Sequence, residues 1–90
     1  MIRMFIRHPV EDYARWRQGY DDFDQERKGM GVNGDAVYQS VDDPNDVTVW
    51  HDFETLEAAQ EFASSSRLTE AMANAGVAGE PQIWFTALAS

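Results

Sequence analysis

The run Val47-Thr48-Val49-Trp50-His51-Asp52-Phe53 decides the fold. Its side chains alternate, sending Val47, Val49, His51 and Phe53 to one side and Thr48, Trp50 and Asp52 to the other. A period of two marks a β-strand, and bulky residues on both sides mark one covered on both faces. On its N-terminal side, Asp42-Asp43-Pro44-Asn45-Asp46 is a turn with Pro44 suited to position i+1. The alternating stretch Ala36 to Val41 precedes that turn, so the two strands form a hairpin. On the C-terminal side Thr55 caps a helix beginning at Leu56, with Glu57 in its first turn and Ala58, Ala59, Phe62 and Ala63 as its buried stripe. Ser64-Ser65-Ser66 interrupts this helix. Leu68, Ala71, Met72 and Ala75 continue on a second short helix that Gly76 ends, and after a Gly/Pro turn over 76–81 a last strand runs from Gln82 to Leu88.

Upstream, residues 2–8 alternate as a first strand that Pro9 stops. Val10, Tyr13, Trp16, Tyr20 and Phe23 recur at spacings of three and four, which predicts a helix from about Glu11 to Lys28. Glu11 and Asp12 sit in its first turn and Arg27 and Lys28 in its last, as the helix macrodipole favours, and Gly29 supplies the stop. Gly29-Met30-Gly31-Val32-Asn33-Gly34 matches a dinucleotide-binding spacing only in form, because it follows a helix and precedes a strand, the reverse of what phosphate binding requires. Residues 1–90 thus read as one α+β domain of order β-α-β-β-α-β, a ferredoxin-like arrangement. Two right-handed crossovers put both helices on one face of a four-stranded antiparallel sheet.

Alternation assigns Ile2, Met4, Ile6, Val37, Val41, Val47, Val49, Phe53, Ile83 and Phe85 to the helix side. The opposite face collects Arg3, Phe5, Arg7, Tyr38, Ser40, Thr48, Trp50, Gln82, Trp84 and Thr86. It carries one large aromatic per strand (Phe5, Tyr38, Trp50 and Trp84), each able to bury about 150–250 Å², and no element is left in the chain to cover it. The economical expectation is a second copy packed sheet to sheet about a two-fold axis, through an interface made partly polar by Arg, Thr and Gln.

The formal charge of −9, from 16 acids against 7 basic residues, disfavours nucleic-acid and anionic-membrane partners. The charge-interrupted start and the lack of a long apolar run lead to the expectation of a cytoplasmic protein. With no Cys and only two His, thiolate metal sites are impossible and half a zinc site is the most the imidazoles supply.

Val10-Glu11-Asp12-Tyr13-Ala14-Arg15-Trp16 after a first strand, the Val47–Phe53 run leading into Thr55-Leu56-Glu57-Ala58-Ala59, and Ile83-Trp84-Phe85 in the last strand resemble the dimeric α+β barrel superfamily. That superfamily includes antibiotic-biosynthesis monooxygenase-like, polyketide cyclase-like and stress-responsive barrel proteins. The resemblance implies two sheets closing into a barrel across a dimer, with any ligand held between each subunit's sheet and helices. It also implies cofactor-independent monooxygenation or cyclisation of an aromatic or polyketide-like compound, or a non-catalytic role in ligand binding or stress. Its haem-degrading branch needs an axial His on the second helix, and neither helix here has one, so no cofactor is expected.

Within such a cavity Tyr13, Trp16 and Tyr20 are candidates to clasp a planar molecule and hydrogen-bond its edge, or else they are core aromatics with polar tips at the surface. His51 shares their side of the sheet and is the candidate catalytic residue, as general base or as a hydrogen-bond partner for a phenol. The alternative is a structural His bonded to a backbone carbonyl. Asp52 points to the other face, so no His–Asp pair is expected within the strand. Gln39, the other neutral polar side chain on the helix side of its strand, is a further ligand-contact candidate. His8 reads as a strand-to-helix junction residue, and Asn33 is explained by its Asn-Gly turn. A cavity of about 300 Å³ or more with convergent polar groups favours catalysis, and a closed apolar core favours the non-catalytic barrel.

Overall fold

The computed structural model describes residues 1–89. Strands β1 (Ile2–Pro9), β2 (Gly34–Gln39), β3 (Asp46–Phe53) and β4 (Gln82–Ala87) pair into one antiparallel sheet in the order β2-β3-β1-β4. Helices α1 (Tyr13–Asp22) and α2 (Asp24–Gly29) join β1 to β2, and α3 (Leu56–Ala63) and α4 (Ser66–Asn74) join β3 to β4. This is the α+β, ferredoxin-like architecture anticipated from the sequence, with each crossover made of two short helices. Among the described residues no helix is long and apolar enough to cross a membrane.

The expected continuous helix from Glu11 to Lys28 is broken. Asp12, in an extended conformation, is the N-cap and accepts a hydrogen bond from the Arg15 N–H at 3.0 Å, so α1 starts at Tyr13 rather than Glu11. The break falls at Phe23 (φ −88°, ψ 0°), which turns in against the core. Gly29 is the last residue of α2 rather than its stop, and Gly31 takes the left-handed conformation (φ +98°) that an L side chain resists.

Strand β2 lies two residues earlier than the Ala36 to Val41 expected. The Ser40 N–H already bonds to the Asp46 carbonyl, and Asp46 N–H to Asp43 O closes a turn with Pro44 second, so the chain leaves the sheet at Ser40. Val41, assigned to the helix side, is therefore in the turn and fully exposed. Pro9 is the last residue of β1 instead of its stop, paired only with Asp46 of β3 where β4 has already ended. In the serine cluster, Ser65 caps α4 by accepting from the Arg67 N–H, which starts that helix at Ser66 rather than near Leu68. Phe85 does face the helix side, but on edge strand β4, where helical cover is thin, it is 37% exposed.

Two buried clusters fill the space between helices and sheet. One gathers Met4, Ile6, Phe53, Ala59, Phe62 and Leu68, and the other gathers Val10, Trp16, Val47, Val49 and Ala75. Asn45 fixes α1 over the second cluster. Its carbonyl accepts from the Val10 N–H at 2.8 Å, and its side chain accepts from the Tyr13 N–H at 3.0 Å. Gly19 lets α1 close on α4, since a Cβ there would meet the Ala75 Cβ at 2.9 Å. A glycine inside a helix costs about 1 kcal/mol relative to alanine, and here the close approach it permits offsets that cost.

The helix-free face carries what alternation assigned to it, except Ser40, which lies past the end of β2. Ala36, Trp50, Phe5 and Trp84 stand in one row across all four strands. Phe5 and Trp84 stack at 5.3 Å between ring centroids, and the Arg3 guanidinium lies 3.6 Å above the Trp50 ring. Arg3 also forms a bidentate pair with Asp52 at 2.8 and 3.0 Å, which confirms that Asp52 points away from the helices. Trp84 and Tyr38 remain 41% and 56% exposed in the single chain.

Candidate functional site

Strand β3 carries His51 at the middle of its helix-facing side. The register sets Asp35 of β2 directly opposite it on the outer side and Met4 of β1 opposite on the inner side. From above, α1 lowers Tyr20 onto this pair. The Tyr20 hydroxyl donates to Asp35 Oδ2 at 2.5 Å and lies 3.0 Å from His51 Nε2. A phenol has one proton, and here the carboxylate takes it, so the imidazole is the donor on its side. That assigns the proton to Nε2 and leaves Nδ1 as an acceptor. Nδ1 is buried and bonded to no protein group among the described residues, as are both ring nitrogens of His8.

Aromatic rings hold this arrangement in place. Tyr20 stacks on Trp16 at 4.9 Å and on His51 at 6.0 Å, and Phe62 of α3 tilts against the other side of His51 at 5.3 Å. Trp16 in turn packs on His8 at 5.7 Å. From α2, the buried Arg27 guanidinium lies 3.6 Å over the Tyr20 ring, donates to the Tyr20 backbone carbonyl and pairs with Asp24 at 3.2 Å. Such a cation–π contact, largely out of water, is worth up to about 2 kcal/mol.

Burial dominates the electrostatics. It lowers the His51 pKa to about 4, the Arg27 charge adds to the lowering, and Asp35 and Asp52 oppose it. His8 falls to about 4 as well, again chiefly through burial and against the pull of Asp46. Both imidazoles are therefore neutral at pH 7. Burial, then the hydrogen bond to Asp35, hold the Tyr20 hydroxyl above the usual phenol range.

These groups meet at a cavity of about 40 Å³ lined by Ile6, His8, Trp16, Gly19, Tyr20, Phe23, Arg27, Val49, His51, Leu68, Ala71, Met72 and Ala75. It is the space beneath α1 that the sequence pointed to, and it brings together Trp16, Tyr20 and His51. Tyr13 is not in the lining; it packs on Trp16 at 5.9 Å with the rings tilted by 31°. Gln39 is not there either. It lies at the exposed end of β2, where its side-chain amide donates to the Pro44 carbonyl at 3.2 Å and braces the turn. Asp35 and Arg27 were not foreseen, and His8 proves to be part of the lining rather than only a junction. A larger hollow of about 350 Å³ opens between Arg7, Asp46 and Glu80. Its cation is already matched, Arg7 to Asp46 at 2.7 Å, and it offers no comparable donor–acceptor chain.

No family model and no curated protein matches the sequence. Solved structures do match. A "putative antibiotic biosynthesis monooxygenase" from Bordetella bronchiseptica superposes with a TM-score of 0.84 at 20% identity, over 99% of this chain and 97% of that one. A protein of the same description from Deinococcus radiodurans gives 0.76 at 14% identity, over 100% and 94%. SnoaB, a cofactor-independent oxygenase from Streptomyces nogalater, gives 0.78 at 9% identity, over 99% and 93%. Likeness at such identities is likeness of fold, and the fold of this chain is that of the antibiotic biosynthesis monooxygenase-like proteins.

Proposed function

We propose that this protein is a cytoplasmic homodimer that binds a compact phenolic or enolic compound beneath α1 and acts on it without a metal or organic cofactor. The observation that carries the reading is the buried Nδ1 of His51, an acceptor with no partner among the described residues, held in one tautomer by Tyr20. A buried acceptor left unpaired costs about 1–3 kcal/mol, and a ligand hydroxyl recovers that cost. Trp16 and Tyr20 give an aromatic ligand two ring faces, and Arg27 places a cation beside any oxyanion that forms. The kind of chemistry follows SnoaB, a cofactor-independent oxygenase of the same fold. The dimer rests on the aromatic row of the free sheet face.

The cavity of about 40 Å³ holds no more than a few water-sized molecules. A ring-sized ligand does not fit that volume, so the proposed binding needs the helices over the cavity to shift. That small volume is also the observation that favours the second reading, a non-catalytic barrel in which the same residues fill the core.

Thermal shift with phenol, catechol and 2-naphthol, against cyclohexanol as control, tests the proposal. A ligand at tenfold over its Kd adds about 1.4 kcal/mol, so a phenol that binds raises Tm by about 6 °C or more. The rise should vanish in His51→Leu, and an oxygen electrode separates turnover from binding. Shifts that persist undiminished in His51→Leu, or no shift with any phenol at millimolar concentration, contradict the assigned site. Binding without oxygen uptake selects the second reading.

A further inference from the structure

Beyond binding, the geometry points to a proton relay in which Tyr20 and Asp35 connect buried His51 to solvent, so that a proton delivered to His51 Nδ1 leaves the protein at Asp35. His51 is 2% exposed. Its Nε2 is 3.0 Å from the Tyr20 oxygen, which is 2.5 Å from Asp35 Oδ2. Asp35 is exposed and sits on edge strand β2. Three groups on three elements thus span the distance from the core to water through two hydrogen bonds.

The relay answers a difficulty that burial creates. A general base works best when its pKa lies near the working pH, and an imidazolium at this site faces the Arg27 cation in an apolar surround. In a relay no imidazolium forms. The ligand O–H breaks as Nδ1–H forms, Nε2–H breaks as a new Tyr20 O–H forms, and the old Tyr20 O–H breaks as Asp35 gains the proton. Ligand anion, neutral imidazole, neutral phenol and carboxylic acid result, with no net change of atoms or charge. The carboxylic acid, which lies at the surface, then passes its proton to solvent water, and reversal returns a proton to the product and restores the starting tautomer. Tyr20 and Asp35 are positioning residues here, acting through His51.

The inference rests on the reading of His51 as the ligand's acceptor, and the two fail separately because binding of 2-naphthol is read by thermal shift and the relay by proton exchange in the saturated complex. The probe is the rate at which the His51 Nε2–H exchanges with water in the 2-naphthol complex, where the ligand O–H supplies the proton that Nδ1 takes up, followed by side-chain ¹⁵N NMR of the full chain. Asp35→Asn keeps an oxygen that accepts from Tyr20 but cannot take up its proton. The expected result is exchange at least tenfold slower than wild type in Asp35→Asn, with backbone amides of β3 unchanged, and recovery in Asp35→Glu. A purely structural Asp35 gives the opposite sign, because a loosened site opens more often. Exchange in Asp35→Asn as fast as wild type or faster overturns the relay, and so does an Asp35→Glu protein as slow as the Asn variant.

Discussion

Replacing Trp50 with arginine is expected to abolish the proposed dimer, weakening association by at least ~100-fold. Trp50 stands inside the aromatic row of the free sheet face, opposite Phe5 and Ala36. Its ring already carries the Arg3 guanidinium at 3.6 Å. A second arginine puts like charges side by side where the proposed partner sheet packs, removes a large aromatic ring from the row, and does so twice if the assembly is two-fold. An unpaired charge buried in an interface costs several kcal/mol, about 3–5 by analogy with broken buried pairs. Sedimentation should show monomer or aggregate for Trp50→Arg and an intact dimer for Glu57→Arg on the exposed side of α3. A wild-type chain that is monomeric at tens of micromolar would contradict the role given to this face.

Acidification has a comparably large effect. His8 and His51 each titrate at about 4 in the folded chain and near 6.5 in the unfolded one. The unfolded state therefore binds protons more readily, and stability falls as pH drops through 6.5, levelling off below 4. Each residue removes about 3 kcal/mol once pH is below both values, and about 2 kcal/mol at pH 5. A chain of this length has about 5–13 kcal/mol in all, so acid unfolding should begin well above the carboxylate range. The depressed Asp24 and Asp46 act in a separate window, below their ordinary 3.8. Urea unfolding at pH 7, 5 and 4 reads the slope, and His51→Gln and His8→Gln should each flatten part of it. Stability that is constant from pH 7 to 5 would contradict the neutral buried imidazoles.

The fold was legible because each level of the sequence agreed. Strand alternation in Val47–Phe53 was strong enough to sort both faces, and the structure keeps Phe5, Trp50 and Trp84 side by side on the helix-free face, the Asp52 direction and the helix-facing His51, while Tyr38 on the same face falls in a neighbouring row opposite Thr48. What escaped was local. Arg27 falls on the Tyr13, Trp16, Tyr20, Phe23 stripe at the same spacing of three to four. Its charge suggested a solvated position, whereas a π-face, a carbonyl and Asp24 together satisfy it in the core. Asp35 was missed because the expected second strand began at Ala36, one residue past it. The hairpin turn closes at Ser40, and that shift brings Asp35 opposite His51. Gln39 was on the right side of the sheet but too near its end, where the Pro44 carbonyl claims it. Patterning reports which face a residue takes; it does not report the register that decides which side chains meet.

The most direct test of the site is the side-chain ¹⁵N spectrum of His51 at neutral pH, recorded first alone and then with saturating 2-naphthol. The expected spectrum of the free protein is a neutral imidazole with its proton on Nε2. Added ligand should then shift Nδ1 while the proton stays on Nε2, hydrogen-bonded to Tyr20. A proton on Nδ1 in the free protein, or bound 2-naphthol that leaves Nδ1 unmoved, would contradict the placement of the ligand against His51.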